Sequence, residues 1–111
     1  MSAVPTAERA AGPAAAPIVG PAADSRPVLP RGVRIHRDAV RGRWVLLAPE
    51  RALRLDDTGL AVLREVDGRR SLDEIAAALA DRYGAPKDQV LGDATRFVAA
   101  LWARRMLDLA P

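Results

Sequence analysis

The chain contains no cysteine and a single histidine, His36, among its 111 residues. Without thiols there is neither a disulfide framework nor a thiolate metal site, so packing alone must hold the fold, which suits a reducing compartment. Long apolar runs are missing as well. Charges interrupt every hydrophobic stretch short of the roughly 18 residues that a bilayer crossing needs. Glu8, Arg9 and several prolines break up what would have to be the apolar segment of a secretory signal. These absences set the expectation of a soluble, cytoplasmic protein.

Familiar catalytic constellations are absent too: there is no HExxH, no P-loop and no GxGxxG. His36 follows Ile35 in a basic, strand-like stretch, where a lone histidine is read as a surface residue. The carboxylate pairs Asp56-Asp57 and Asp73-Glu74 stand at the starts of helical patterns, where free amides and the helix dipole favour an anion. Capping explains them without acid-base chemistry. No catalytic residue, no metal site and no enzyme is expected.

What is there falls into two textures. Residues 1–29 are rich in Ala and Pro with almost no large apolar side chains, so burial cannot offset the entropy of ordering them, and a disordered tail is expected. Residues 30–111 form the expected domain. Its first part holds three short runs, VRIHRD, RWVLLA and ALRLD, separated by Val40-Arg41-Gly42 and by Pro49-Glu50. Val33 with Ile35, and Leu53 with Leu55, alternate with polar neighbours in period two, whereas Trp44 to Leu47 is apolar on both faces. An antiparallel meander with the middle run central accounts for that difference.

The rest reads as helix. Asp56 or Asp57 caps a segment carrying Leu60, Leu63 and Val66, which Asp67-Gly68 ends. Ser71 with Glu74 forms a capping box for a second helix bearing Ile75, Leu79 and Tyr83, stopped by Gly84. Pro86 opens a third helix running to about Met106. On it, Val90, Ala94, Phe97 and Leu101 have the spacing of a core face, and a second stripe, Leu91, Thr95, Val98 and Trp102, widens the apolar arc. The predicted fold is α+β and winged-helix-like: a three-stranded antiparallel sheet followed by three helices.

Charge is unevenly placed. Between Arg31 and Leu55 there are seven Arg against Asp38 and Glu50, a balance that suits an acidic partner. A winged-helix shape with basic residues also keeps duplex DNA in view. Against it, the third helix opens Pro86-Lys87-Asp88-Gln89 and carries Asp93, where a recognition helix would bring donors to the groove.

The stretches PRGVRIHRD, RGRWVLLAPERALRLDDTGLAVL and DGRRSLDEIAAALADRYG, and a last helix ending in WARRMLDL, together resemble the PqqD family over residues 30–109. One departure is Arg104-Arg105-Met106-Leu107, where family members often have Arg-Gly-Leu-Leu. Without the glycine a left-handed helix cap is less expected there.

The resemblance implies a RiPP recognition element: a cofactor-free adaptor that binds the precursor peptide PqqA. It would present that peptide to the radical SAM enzyme PqqE, in pyrroloquinoline quinone biosynthesis or in another modified-peptide pathway. In such domains the peptide adds a strand to the third strand of the sheet. Here the backbone of Arg51, Ala52, Leu53, Arg54 and Leu55 would supply the ladder, and Leu91, Thr95, Val98 and Trp102 are candidates for the pocket wall. Arg51 and Arg54 would face acidic peptide side chains. A monomer or a weak homodimer is expected, because arginines along an open edge discourage self-pairing.

Overall fold

The computed structural model describes residues 20–111. In chain order the elements are β1 (Arg26–Val28), β2 (Arg34–Asp38), β3 (Arg43–Ala48), β4 (Arg51–Leu55), α1 (Asp57–Arg64), α2 (Leu72–Tyr83), α3 (Lys87–Ala103) and β5 (Asp108–Ala110). The expected meander is present as an antiparallel sheet in the order β2-β3-β4, with the apolar middle run in the centre. Trp44, Leu46 and Ala48 alternate onto the helix side with Ile35, Leu53 and Leu55, and Leu46 is completely buried. Val45 and Leu47 occupy the opposite face by the period of the pleat.

The β3–β4 connection is a two-residue turn, Pro49-Glu50, closed by the Ala48–Arg51 pair. Proline presets the first central φ, and Glu50 takes a φ of 63°, the left-handed value that a type II turn requires next. The Trp44 ring is held between the Arg37 and Arg64 guanidiniums, at 5.6 and 4.9 Å from its centroid, which ties the sheet to the last turn of α1.

Local chemistry fixes the helices. Asp56 caps α1, accepting from the Gly59 amide at 2.7 Å. Ser71 and Glu74 form the reciprocal capping box of α2, and Gly84 ends it in the left-handed conformation. Pro86 sits one place earlier than expected, as the N-cap of α3. The core gathers Leu60, Val62 and Leu63 of α1, Leu72, Ile75 and Leu79 of α2, and Ala94, Val98 and Leu101 of α3 over Leu46 and Leu55 of the sheet. Tyr83, expected on the apolar stripe of α2, is instead 64% exposed. It lies in the final turn, beyond the reach of that core.

The expected extents of the tail and of the third helix need correction. Most of the predicted tail, residues 1–19, lies outside the described residues, but its last part is structured. Arg26–Val28 pairs antiparallel with Asp108–Ala110, and Pro27 is fully buried. The same arm caps α2 from outside: the Leu72 and Asp73 amides, free at a helix start, donate to the Ser25 and Ala23 carbonyls, each at 2.8 Å. Two prolines and a three-residue strand hid this segment from a reading of hydrophobic pattern.

The third helix stops at Ala103 and not near Met106, and Arg105 adopts a φ of 60°. The Met106 amide donates to the Leu101 carbonyl at 2.9 Å and the Arg105 amide to the Trp102 carbonyl at 3.0 Å, which is a Schellman closure without glycine. Burial of Leu101 and Met106 to 1 and 2% exposure drives it, so the arginine carries the strain that a glycine would avoid.

Arg105→Gly should therefore raise stability by about 1 kcal/mol, read as a higher urea midpoint. An unchanged or lower midpoint would show the turn to be unstrained.

Glu65, whose side chain is only 12% exposed, anchors the α1–α2 junction: it meets Arg70 at 2.9 Å and Arg82 at 3.3 Å, and its carbonyl accepts from Arg70 at 2.7 Å. Burial alone would push its carboxyl up, but the two guanidiniums together outweigh that and hold it below the usual carboxylate value. A carboxyl depressed in the folded state contributes stability above its unfolded value and loses it as pH falls through the folded one. Glu65→Gln should cost about 1 kcal/mol at pH 7, and the difference from wild type should narrow as the pH falls below the ordinary glutamate range in paired urea titrations.

Candidate functional site

Among the described residues β4 is an edge strand that pairs with β3 alone. Because the two-residue turn makes Ala48–Arg51 a hydrogen-bonded pair, alternation assigns the inward bonds to Arg51, Leu53 and Leu55. The amides and carbonyls of Ala52 and Arg54 are left pointing at the free margin, while the side chains of Leu53 and Leu55 lie on the helix side.

Beside this margin runs a groove of about 400 Å³, lined by Leu53, Arg54, Leu55 and Asp56 from the strand side and by Phe97, Ala100, Leu101 and Arg104 from α3. Its floor is apolar, and arginines stand on both walls. Two contacts set its width. Arg51 donates through Nη2 to the Arg104 carbonyl at 2.7 Å, tying the strand to the end of α3. Farther along, the Phe97 ring lies against the backbone of Gly59, where a methyl group would stand 2.9 Å from Cε1 and Cζ.

The predicted residues divide accordingly. Arg51 through Leu55 do form the open strand, and Leu53, Arg54 and Leu55 line the groove. The second stripe of α3 is not its wall. Val98 is fully buried, Leu91 packs on the core, Thr95 is half-buried, and the Trp102 ring sits by Gly20 of the N-terminal arm, 3.7 Å from where a Cβ there would be. Residues Phe97 and Leu101, expected on the core face, supply the wall together with Ala100 and Arg104. The period of a helix gives the width of its apolar arc but not its rotation against the sheet, and here α2 draws the Val98 side inward. Gly59 had no signal beyond a glycine inside a helical pattern, a costly choice that invites a packing reason.

A second hollow of about 300 Å³ lies among the helices, lined by Ala61, Val62, Leu79 and Val90 with Asp57 and Asp93 at its rim, but it offers no strand margin. Among the described residues no group of three His, Cys, Asp or Glu could hold a metal ion, and no helix is long and apolar enough to cross a membrane.

The family model for coenzyme PQQ synthesis protein D (PqqD) matches residues 43–107, from the start of β3 to the end of the α3 closure. The chain belongs to the PqqD family. Among the family's members, a "PqqA binding protein" of Rhizobium meliloti is 49% identical over 81 residues, covering 73% of this chain and 83% of that relative. Another, from Xanthomonas axonopodis pv. citri, is 45% identical, covering 78% of this chain and 94% of its own length.

The solution NMR structure of the PqqD truncation of Methylobacterium extorquens PqqCD, a stand-alone RiPP recognition element, superposes with a TM-score of 0.69 at 42% identity, covering 81% of this chain and 95% of that one. The crystal structure of PqqD from Xanthomonas campestris gives 0.53 at 41% identity, covering 79 and 98%. The sheet and three helices expected from sequence are thus those of the PqqD fold.

Gly59→Ala tests how Phe97 is seated. The added methyl should displace the ring and lower stability by about 1 kcal/mol net, the clash exceeding the helix-propensity gain. Ring resonances of Phe97 should shift at the same time. A rise in the urea midpoint with unshifted Phe97 signals would rule this seating out.

Proposed function

We propose that this chain binds the precursor peptide PqqA as an added strand on β4 and presents it to the radical SAM enzyme PqqE in pyrroloquinoline quinone biosynthesis. The observation that carries the reading is the outer margin of β4, unpaired among the described residues and lying directly beside an apolar groove. An extended peptide satisfies the free amides and carbonyls of Ala52 and Arg54, while its alternate side chains enter between Leu53 and Leu55 on one side and Phe97 and Leu101 on the other. The names of the curated relatives, PqqA binding proteins, support the choice of peptide.

Each ladder bond contributes only about 1 kcal/mol net, so binding needs several bonds plus apolar burial to exceed the cost of ordering the peptide. Arg54 and Arg104 flank the groove and suit acidic peptide side chains. Arg51 is anchored on the Arg104 carbonyl and serves to hold the walls together. Chemistry belongs to the enzyme. The adaptor raises the peptide's local concentration there and fixes its path. Duplex DNA finds little support on α3, whose exposed early turns carry Asp88 and Asp93.

Ala52→Pro is the direct test. Proline is tolerated on an edge strand when its missing amide faces outward, so the β3 ladder should survive while one donor is removed from the margin. PqqA affinity should fall about five- to tenfold by calorimetry with the fold retained. Residue-resolved NMR titration of the wild type should shift 52–55, 97, 100 and 104. Wild-type affinity in the proline variant would exclude strand addition at this edge.

A further inference from the structure

The face of the sheet turned away from the helices carries a second set of groups that the groove does not use. The β2-β3 register places Arg34 beside Leu47, His36 beside Val45, and Arg43 beside Asp38. Arg34 and His36 are exposed. Among the described residues neither Arg34 nor Arg43 meets a carboxylate within ion-pair distance, in contrast to Arg70, Arg82, Lys87 and Arg96 on the helical side. Asp38, the carboxylate that register puts on this face, is already taken by Arg41, which reaches it with its amide at 3.1 Å and its guanidinium at 3.5 Å. The Nε of Arg43 is buried with no acceptor among the described residues, a donor that an incoming carboxylate would satisfy.

We infer that this helix-free face, built on Arg34, His36 and Arg43, is a docking surface for an acidic patch of the enzyme that modifies the bound peptide. The inference rests on the adaptor reading above, since an adaptor must hold its enzyme with residues the peptide leaves free. Geometry supplies that separation. β2 lies two strand spacings, about 10 Å, from the β4 margin where the peptide is added. An acidic protein surface fits better than a nucleic acid, because the arginines share their face with the apolar Val45, Leu47 and Ala52.

The test compares Arg34→Glu with Arg69→Glu, an exposed position in the α1–α2 loop that changes net charge equally. Binding of reconstituted PqqE is measured without peptide at low and high salt, and PqqA binding is measured separately. Arg34→Glu should weaken the enzyme about tenfold at low salt, with the two variants converging at high salt and with PqqA affinity unchanged. Equal effects of the two variants, or none, would overturn the inference while leaving the peptide reading intact. So would an Arg34-dependent affinity for random duplex DNA, or for a second copy of the chain, that exceeds the affinity for the enzyme. If the wild type fails to bind PqqA yet holds the enzyme through Arg34, the peptide reading falls and this surface stands.

Discussion

The parting between β4 and α3 is the constraint on which the rest of the molecule depends. α3 gives its innermost line, Ala94, Val98 and Leu101, to the core it shares with α2, and so stands beside β4 without covering its margin. A strand edge left open is normally a hazard that proteins blunt with charge. Here Arg51 and Arg54 occupy that edge, and Arg51 also fastens it to the end of α3. The Phe97 ring, seated on the bare backbone of Gly59, keeps the middle of the cleft from closing. A glycine poorly suited to a helix and an arginine poorly suited to a left-handed turn both sit where this geometry is set, and packing overrides propensity at each.

The charges follow the same division. On the helical side most ion pairs are internal, as in Glu65 with Arg70 and Arg82, and they stiffen junctions between elements. On the sheet the arginines are mostly unmatched, which costs little in water and leaves them available to a partner. On the proposed reading the two tasks are separated by face: strand addition along one margin, and long-range attraction over the side of the sheet next to it.

The meander, the three helices and their caps were legible in the sequence because each rests on local chemistry: alternation in β2 and β4, Asp56 and the Ser71–Glu74 box, Gly84. The open edge followed from the same pattern. What could not be read was set by contacts distant along the chain. β1 becomes a strand only through β5, more than 75 residues away, and its Pro27 argues against it locally. The wall of the groove was not legible because both stripes of α3 are apolar and the buried line, Ala94, Val98 and Leu101, takes residues from each, so the rotation of the helix is set by its docking against α2. Arg105 likewise takes its conformation from the burial of Met106 beyond it.

The β1–β5 ribbon brings Arg26 and Pro111 into direct contact, with the Arg26 guanidinium donating to the Pro111 carbonyl. The two ends of the described domain are thereby neighbours, as in a cassette with both leads at one corner. A domain wired in this way can be spliced to a second protein through either lead with the same geometry. Circular permutation, with a short linker across the ribbon and new ends cut at the exposed Val40 turn, becomes a natural way to graft this domain onto other proteins.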